Sequence, residues 1–326
     1  MATEAGGRLS ELGEFAFLER LRALPSADRD VDLGIGDDCA IVRAGGRRWL
    51  LTTDALVEGV HFRWRWDDPA GHGRRAFAVN ASDIAAMGGR PRFALLSLVA
   101  PKRASVADLH ALVRGFATAA RGAGCALVGG NLSGGPCWTI SATLVGEPCG
   151  TALRRSGAHP GDLLFVSGRL GAAAYAREIL LGRRRGSGNR TAAFRRPIPR
   201  LALGCALARA RAATAAIDVS DGLLQDLGHL CRASRVGAIV DVDRLPLAPA
   251  LRALSKRARL RLAFAGGEDY ELLFTVPASR ARRLPRSPGV RLTPIGTIMP
   301  GSAIRVREAS GEIRVADTRG FDHFRR

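Results

Sequence analysis

With 326 residues, 47% of them hydrophobic, the chain is long enough for two domains with packed cores. No apolar run approaches the roughly 18–20 residues that cross a bilayer, and the opening MATEAGGRLSELGEF lacks the apolar stretch of a secretory signal, so a cytoplasmic protein without a membrane partner is expected. The net charge is +19, yet lysine occurs only at Lys102 and Lys256, and the arginines are scattered apart from residues 183–185 and 195–196. With few aromatics among them to stack bases, they read as a solvated basic surface and not a nucleic-acid face.

In chain order, residues 13–24 have helical apolar spacing, and residues 48–53 form a strand. Residues 72–87 predict a helix ended by Gly88, Gly89 and Pro91, followed by a strand over 93–99. A helix is expected over 106–122 with Ser105 as its N-cap. Strands over 126–128 and 138–145 flank a Gly-rich turn, GGNLSGG at 129–135. Pro148, Gly150 and the polar stretch 154–162 place a domain boundary near residue 150, giving halves 1–149 and 150–326. Beyond it, strands are expected over 163–166, 217–219, 236–242, 270–276 and 304–306. Helices fall at 171–181, at 199–213 and from Gly222, and a surface loop at 183–190. Strands and helices alternate in both halves, so the class is α/β or α+β.

Cys39, Cys125, Cys137, Cys149, Cys205 and Cys231 contain no C-x-x-C pair. They read as reduced, mostly core thiols, with neither a disulfide framework nor a zinc site expected.

Against the basic background, carboxylates gather in short motifs of small and apolar residues: GIGDDCA (34–40), LTTDALVEGVHF (51–62), NASDIAAMG (80–88), IDVSDGLLQDL (217–227) and GGEDYELLF (266–274). A buried carboxylate must be paired, hydrogen-bonded or metal-bound. Asp37 and Asp38 are adjacent, and a cation would relieve their repulsion, although an ordinary Asx turn also accounts for them. Thr52, Thr53 and Asp54 offer the oxygens that Mg²⁺ accepts, or an N-cap cluster. Asp83 sits in a helix whose neighbours Phe77, Ile84 and Met87 are apolar, so its charge needs compensation there, unless it faces solvent between turns of the helix or caps it after Ser82. Asp218, Ser220 and Asp221 lie where a strand meets a helix, a place suited to capping or to phosphate. The glycines at 129–135 let backbone N–H groups approach an anion, or simply turn the chain, and Gly168-Arg169-Leu170-Gly171 before a helix is a weaker signal of the same kind. His61 alone reads as structural. A P-loop, protein-kinase motifs and a G-x-S-x-G elbow are all missing, so phosphoryl transfer here would rest on metals and arginine.

Read in order, these motifs, with GFDHF at 320–324, resemble the bacterial thiamine-monophosphate kinases, within the superfamily of aminoimidazole ribonucleotide synthetase, selenophosphate synthetase and the hydrogenase-maturation protein HypE. TTDALVEGVHF, NASDIAAMG and GGEDYELLF favour the thiamine branch. The resemblance implies a two-domain PurM-like fold whose N-terminal domains pair in a homodimer as a β-barrel. It implies transfer of a phosphoryl group from ATP to thiamine monophosphate, with several Mg²⁺ ions. It assigns metal ligation to Asp38, Thr52, Thr53, Asp54, Asp83, Asp218 and Asp221, with Asp83, Asp218 and Asp221 at the catalytic centre. Gly130, Asn131, Arg155 and Ser220 fall to the nucleotide, and His61, Glu268 and Phe321 to the thiamine side. Asn131 departs from the family's usual Asp: it keeps an oxygen for the metal but brings no charge. Phe321 keeps an aromatic face without the polar tip of the usual Trp or Tyr. The alternatives are a sister enzyme acting on another small acceptor, a non-catalytic nucleotide-binding paralogue, and a basic nucleic-acid-binding protein that would leave the aspartates unexplained.

Overall fold

The computed structural model describes residues 8–22 and 28–317. The first half contains α1 (Leu9–Leu12), α2 (Glu14–Arg22), β1 (Val31–Leu33), β2 (Ala40–Ala44), β3 (Arg47–Val57), α3 (Pro69–Ala86), β4 (Gly89–Ala100), α4 (Val106–Gly122), β5 (Ala126–Gly134) and β6 (Thr139–Pro148). Its six strands form one sheet in the order β1-β2-β3-β6-β4-β5. The second half contains β7 (Leu163–Ser167), α5 (Ala172–Leu180), α6 (Ala192–Arg195), α7 (Leu201–Ala210), β8 (Ala215–Asp218), α8 (Leu223–Ser234), β9 (Gly237–Asp241), α9 (Lys256–Ala265), β10 (Leu272–Val276), β11 (Leu292–Met299), β12 (Ile304–Arg307) and β13 (Ile313–Val315). Its seven strands run β13-β12-β9-β11-β7-β10-β8. Both sheets are mixed, so the chain is a two-domain α/β fold. Among the described residues no helix is long and apolar enough to cross a membrane.

The helix α3 is the hinge of the packing. Asp68 caps it by accepting from the Gly71 amide, and Pro69 occupies its first turn, where a missing N–H costs nothing. Fourteen of its eighteen residues are buried, so it is packed on every side and not only along one stripe. Phe77 and Ile84 join Leu50 and Leu144 of the first sheet in one core. Ala85 and Ala86 join Leu203 and Leu207 of α7 and Phe274 of β10 in another. Small residues permit this. A Cβ on Gly73 would lie 2.0 Å from the Leu112 carbonyl oxygen of α4, and one on Gly204 would lie 2.0 Å from that of Ala85. The second sheet is covered on its other face by α8 and α9, whose Leu227, Leu230 and Phe264 meet Val166 and Ile217.

Two expectations are corrected. Residues 129–134 are not a turn but continue β5, pairing in parallel with β4 from Phe93–Ala126 to Ala100–Gly134. The parallel partner and the α4 crossover supply what a hairpin reading missed. Gly130 serves close approach, since a Cβ there would lie 1.8 Å from the Leu96 carbonyl oxygen. Cys149 and Cys205, 56 residues apart in sequence, form a disulfide, contrary to the expectation of six thiols. Residues after β6 run against α7 (a Cβ on Gly150 would lie 2.7 Å from the Ala208 carbonyl oxygen), and this tertiary contact brings the sulfurs together. Cys39, Cys125, Cys137 and Cys231 remain free. The Ser105 cap is as expected, accepting from the Asp108 amide.

Gly73→Ala should lower stability by about 1–3 kcal/mol, because the new methyl must push α4 off α3. Urea unfolding checks this. An unchanged or raised midpoint, as alanine's helix propensity alone would give, would show that the two helices are not in close contact there.

Candidate active site

The aspartate motifs converge where α3 passes between the two sheets. Asp38 arrives from the turn before β2, Asp83 from the middle of α3 and Asp218 from the end of β8. One carboxylate oxygen from each lies within 4.8 Å of the other two. Asp38 and Asp218 are buried. Each has a distinct partner. Thr52 Oγ1 donates to Asp83 Oδ2 at 2.6 Å, and Ser82 Oγ donates to Asp218 Oδ2 at 2.6 Å. Arg155 donates to Asp38 Oδ1 through Nε at 3.0 Å and Nη2 at 2.5 Å. Its backbone amide donates to Asp37 at 3.0 and 3.2 Å.

One cation does not balance these acids. Asp38 Oδ2 is buried without any hydrogen-bond partner. Burial, then the neighbouring Asp218 and Asp38 charges, push the Asp83 carboxyl well above the usual range. Burial and Asp38 raise Asp218 to about 7, with Ser82 and Arg155 pulling the other way. Burial raises Asp37 to about 7, with the Asp38 charge adding to it. An orphaned buried carboxylate oxygen, facing two more carboxylates and a threonine hydroxyl, is a donor set for a hard divalent cation.

Around this cluster the other expected residues separate into groups. Asp54 and Asp221 line a cavity of about 200 Å³ together with His61, Ser220, Glu268, Glu14 and Arg177. His61 Nδ1 accepts from the Val57 amide at 2.9 Å. Asp221 accepts from Gln225 at 3.0 Å, and burial raises its carboxyl to about 7. Thr53 lies on the other face of β3 from Thr52, by the two-residue period of a strand, and donates to the Ala142 carbonyl. Gly130 and Asn131 lie on the edge strand β5, exposed, with Asn131 Nδ2 donating to Ser133 Oγ. The register Asp54–Ala142–Leu96–Gly130 spans three strand spacings, roughly 14 Å, so this chain does not bring them to the cluster. Phe321 lies outside the described residues.

Several residues here escaped sequence reading. Asp226 Oδ2 accepts from the amides of Ser220, Asp221 and Gly222 at 3.1–3.2 Å, so it, and not Ser220 or Asp221, holds the turn into α8. It belongs to the motif at 217–227, and its place one turn into the helix was the available signal. Ser82 directly precedes Asp83, but only the packing of α3 on β8 reveals its partner. The N-terminus of α5, after the glycine loop at 168–171, is occupied by Asp269, which accepts from the amides of Gly171 and Ala173.

The AIR synthase related protein N-terminal domain matches residues 36–147, and its C-terminal domain residues 159–308. The thiamine-monophosphate kinase of Salmonella typhimurium is 39% identical, over 96% of this chain and 98% of its own length. The chain belongs to the thiamine-monophosphate kinase family. Among solved structures, AaThiL complexed with AMPPCP and TMP superposes with a TM-score of 0.85 at 34% identity, covering 98% of this chain and all of that one. The thiamine-monophosphate kinase of Stenotrophomonas maltophilia superposes with a TM-score of 0.74 at 40% identity, covering 92% of this chain and 97% of its own.

The buried carboxyls set a pH dependence. Their folded pKa values, about 7 for Asp37, Asp218 and Asp221, lie above the ordinary value of 3.8, so the folded state binds protons that the unfolded state releases. Their contribution is most favourable below about pH 4 and is lost as pH rises through 7. In chelator, the melting temperature should therefore fall between pH 6 and pH 8, and a divalent cation should restore more at pH 8 than at pH 6. A cation effect of equal size at both pH values would contradict this.

Proposed function

We propose that the protein transfers the γ-phosphoryl group of ATP to thiamine monophosphate, giving ADP and thiamine diphosphate. The observation that carries the reading is the buried cluster of Asp38, Asp83 and Asp218 beside an acidic cavity lined by His61 and Glu268. The acceptor is a phosphate, already anionic near neutral pH, so the reaction needs no general base. What it must overcome is repulsion between two polyanions.

Asp38, Asp83 and Asp218, with Thr52, Asp54 and Asp221 beside them, would hold Mg²⁺. Bound there, Mg²⁺ supplies positive charge that screens the phosphates and aligns them for in-line transfer. Arg155 stands against Asp38, where its guanidinium can turn charge-assisted hydrogen bonds toward ATP phosphates. Ser220, at the entrance to α8, lines the same cavity as Asp221 and offers a hydroxyl there. The cavity is lined by Glu14, Asp54, Asp221 and Glu268 against Arg177, with Arg75 paired to Glu268, and the remaining acidic balance suits the cationic rings of thiamine. Phe321 would stack on those rings.

We further propose a homodimer formed through the uncovered face of the first sheet, with the chain divided at residues 149/150. Phe93 and Leu95 are 40% and 46% exposed on that face, and Val128 and Leu132 of the edge strand are 60% exposed. Such a face is partnered in an assembly more often than left in water. Thr53, Gly130 and Asn131 lie along it or at its edge, so their metal and nucleotide roles would depend on the pairing.

Purified protein with Mg-ATP should convert thiamine monophosphate to the diphosphate, with little use of free thiamine, which lacks the anionic nucleophile. Asp83→Asn and Asp218→Asn should each cut turnover about 100-fold or more. Their melting temperatures in chelator should stay at or above wild type, because each removes a repelled charge. Turnover of thiamine but not of its monophosphate, or variants whose activity loss tracks unfolding, would contradict the reading.

A further inference from the structure

One ion pair beneath the acidic cavity is built in a way that packing alone does not require. Arg75 lies in α3, two turns before Asp83, and is 2% exposed. Its Nη2 donates to Glu268 Oε2, a residue 193 positions away in the other half. Its Nε donates to the Phe194 carbonyl oxygen at 3.2 Å, and its guanidinium carbon stands 4.3 Å from the centre of the Phe194 ring. The guanidinium is thus held by a carbonyl and an aromatic face as well as by the acid.

Glu268 is held just as firmly from its own side. Its φ is +63°, in the left-handed region, and Gly267 before it and Tyr270 two residues after it also have positive φ. Its amide donates to the Ser220 carbonyl at 2.7 Å, and that of Tyr270 to Val219 at 2.8 Å. Gly267 lies so close that a Cβ there would stand 2.6 Å from the Ser220 oxygen. The backbone of this turn is therefore fixed to the strand-to-helix junction carrying Asp218 and Asp221, and its side chain is fixed to α3. Strain of this kind persists only where surrounding contacts over-determine it. Arg75 takes Oε2, and Oε1 has no partner among the described residues while Glu268 lines the cavity.

We propose that Arg75 is a positioning residue: it neutralises and orients Glu268 so that Oε1 meets the organic cation of the acceptor and stays out of the metal-binding carboxylate set. The inference rests on the thiamine-monophosphate kinase reading and on Glu268 facing the acceptor. Chemically, the pair acts as a fixed acceptor of little net charge. Asp38, Asp83 and Asp218 gather three carboxylate oxygens within 4.8 Å with the single guanidinium of Arg155 against them, and so attract a divalent ion; Glu268 has a buried guanidinium to itself and competes weakly for one. Lysine could keep the charge but not the simultaneous reach to Glu268 and the Phe194 carbonyl.

The test compares full-length Arg75→Met, Arg75→Lys, Glu268→Gln and the Arg75→Met/Glu268→Gln double variant. KM is measured for thiamine monophosphate and for Mg-ATP, with melting temperature alongside. Glu268→Gln and Arg75→Met should each raise KM for thiamine monophosphate about tenfold or more while KM for Mg-ATP moves less than about twofold. Arg75→Lys should recover part of the loss, and the double variant should be no worse than the worse single one. If Arg75→Met is too unstable to assay, the same KM split in Arg75→Lys decides. Arg75 variants that raise both KM values alike, or a double variant whose effects multiply, would show that Arg75 does not act through Glu268 and would overturn the inference. Failure of the functional reading shows instead in the wild type, as no turnover of thiamine monophosphate, and removes both. A Glu268→Gln enzyme with unchanged KM overturns the inference while leaving the activity standing.

Discussion

Three carboxylates that repel one another are held together inside the protein, and most of the architecture around them exists to keep them there. At separations of no more than 4.8 Å and an effective dielectric near 20, each pair opposes folding by about 3.5 kcal/mol or more when both members are charged. Arg155 offsets the charge of Asp38, while Thr52 and Ser82 give Asp83 and Asp218 one neutral hydrogen bond each. Burial first, and then mutual repulsion at Asp83 and Asp218, raises these carboxyls above their ordinary range, and Asp38 Oδ2 stays without a hydrogen-bond partner. The stability lost here is supplied elsewhere, by the two sheets and by a helix packed on all its sides. That division, a strained site on a rigid frame, is what a preorganised cation cradle requires.

The same helix also separates two kinds of acid. Asp83 projects into the cluster with no cation of its own, whereas Arg75, two turns earlier, meets Glu268 with a full counter-charge. On the proposed function, one helix would serve the inorganic and the organic ends of a single reaction, with the spacing between those ends fixed by helical rise. The phosphates would gather at one end and the thiamine rings at the other. Close contacts at Gly73 and Gly204 hold the helix in place against α4 and α7.

Much of this was legible in the sequence because the informative signals were local. Small residues around Asp83 and a strand-to-helix junction at Asp218 single out carboxylates in need of a partner, with helix capping as the local alternative, and the strand–helix alternation gives the class. What stayed hidden depends on contacts between distant segments. The glycines at 129–134 look like a turn until β4 is seen to run parallel beside them. The Cys149–Cys205 bond and the Arg75–Glu268 pair join residues with no shared local pattern. Thr52 and Thr53 are indistinguishable in sequence, yet strand alternation sends one to Asp83 and the other to the Ala142 carbonyl on the far face.

The most direct test of the carboxylate cradle is the proton balance of metal binding. Asp218 has a folded pKa of about 7, and Asp83 lies well above the ordinary range, so near pH 7 the nucleotide-free protein holds protons that a divalent ion must displace. Mg²⁺ added to weakly buffered protein in a pH-stat at pH 7 should release on the order of one proton per chain. The release should shrink in Asp83→Asn and Asp218→Asn. Mg²⁺ binding without proton release, or a release unchanged in both variants, would contradict a buried carboxylate cluster as the metal site.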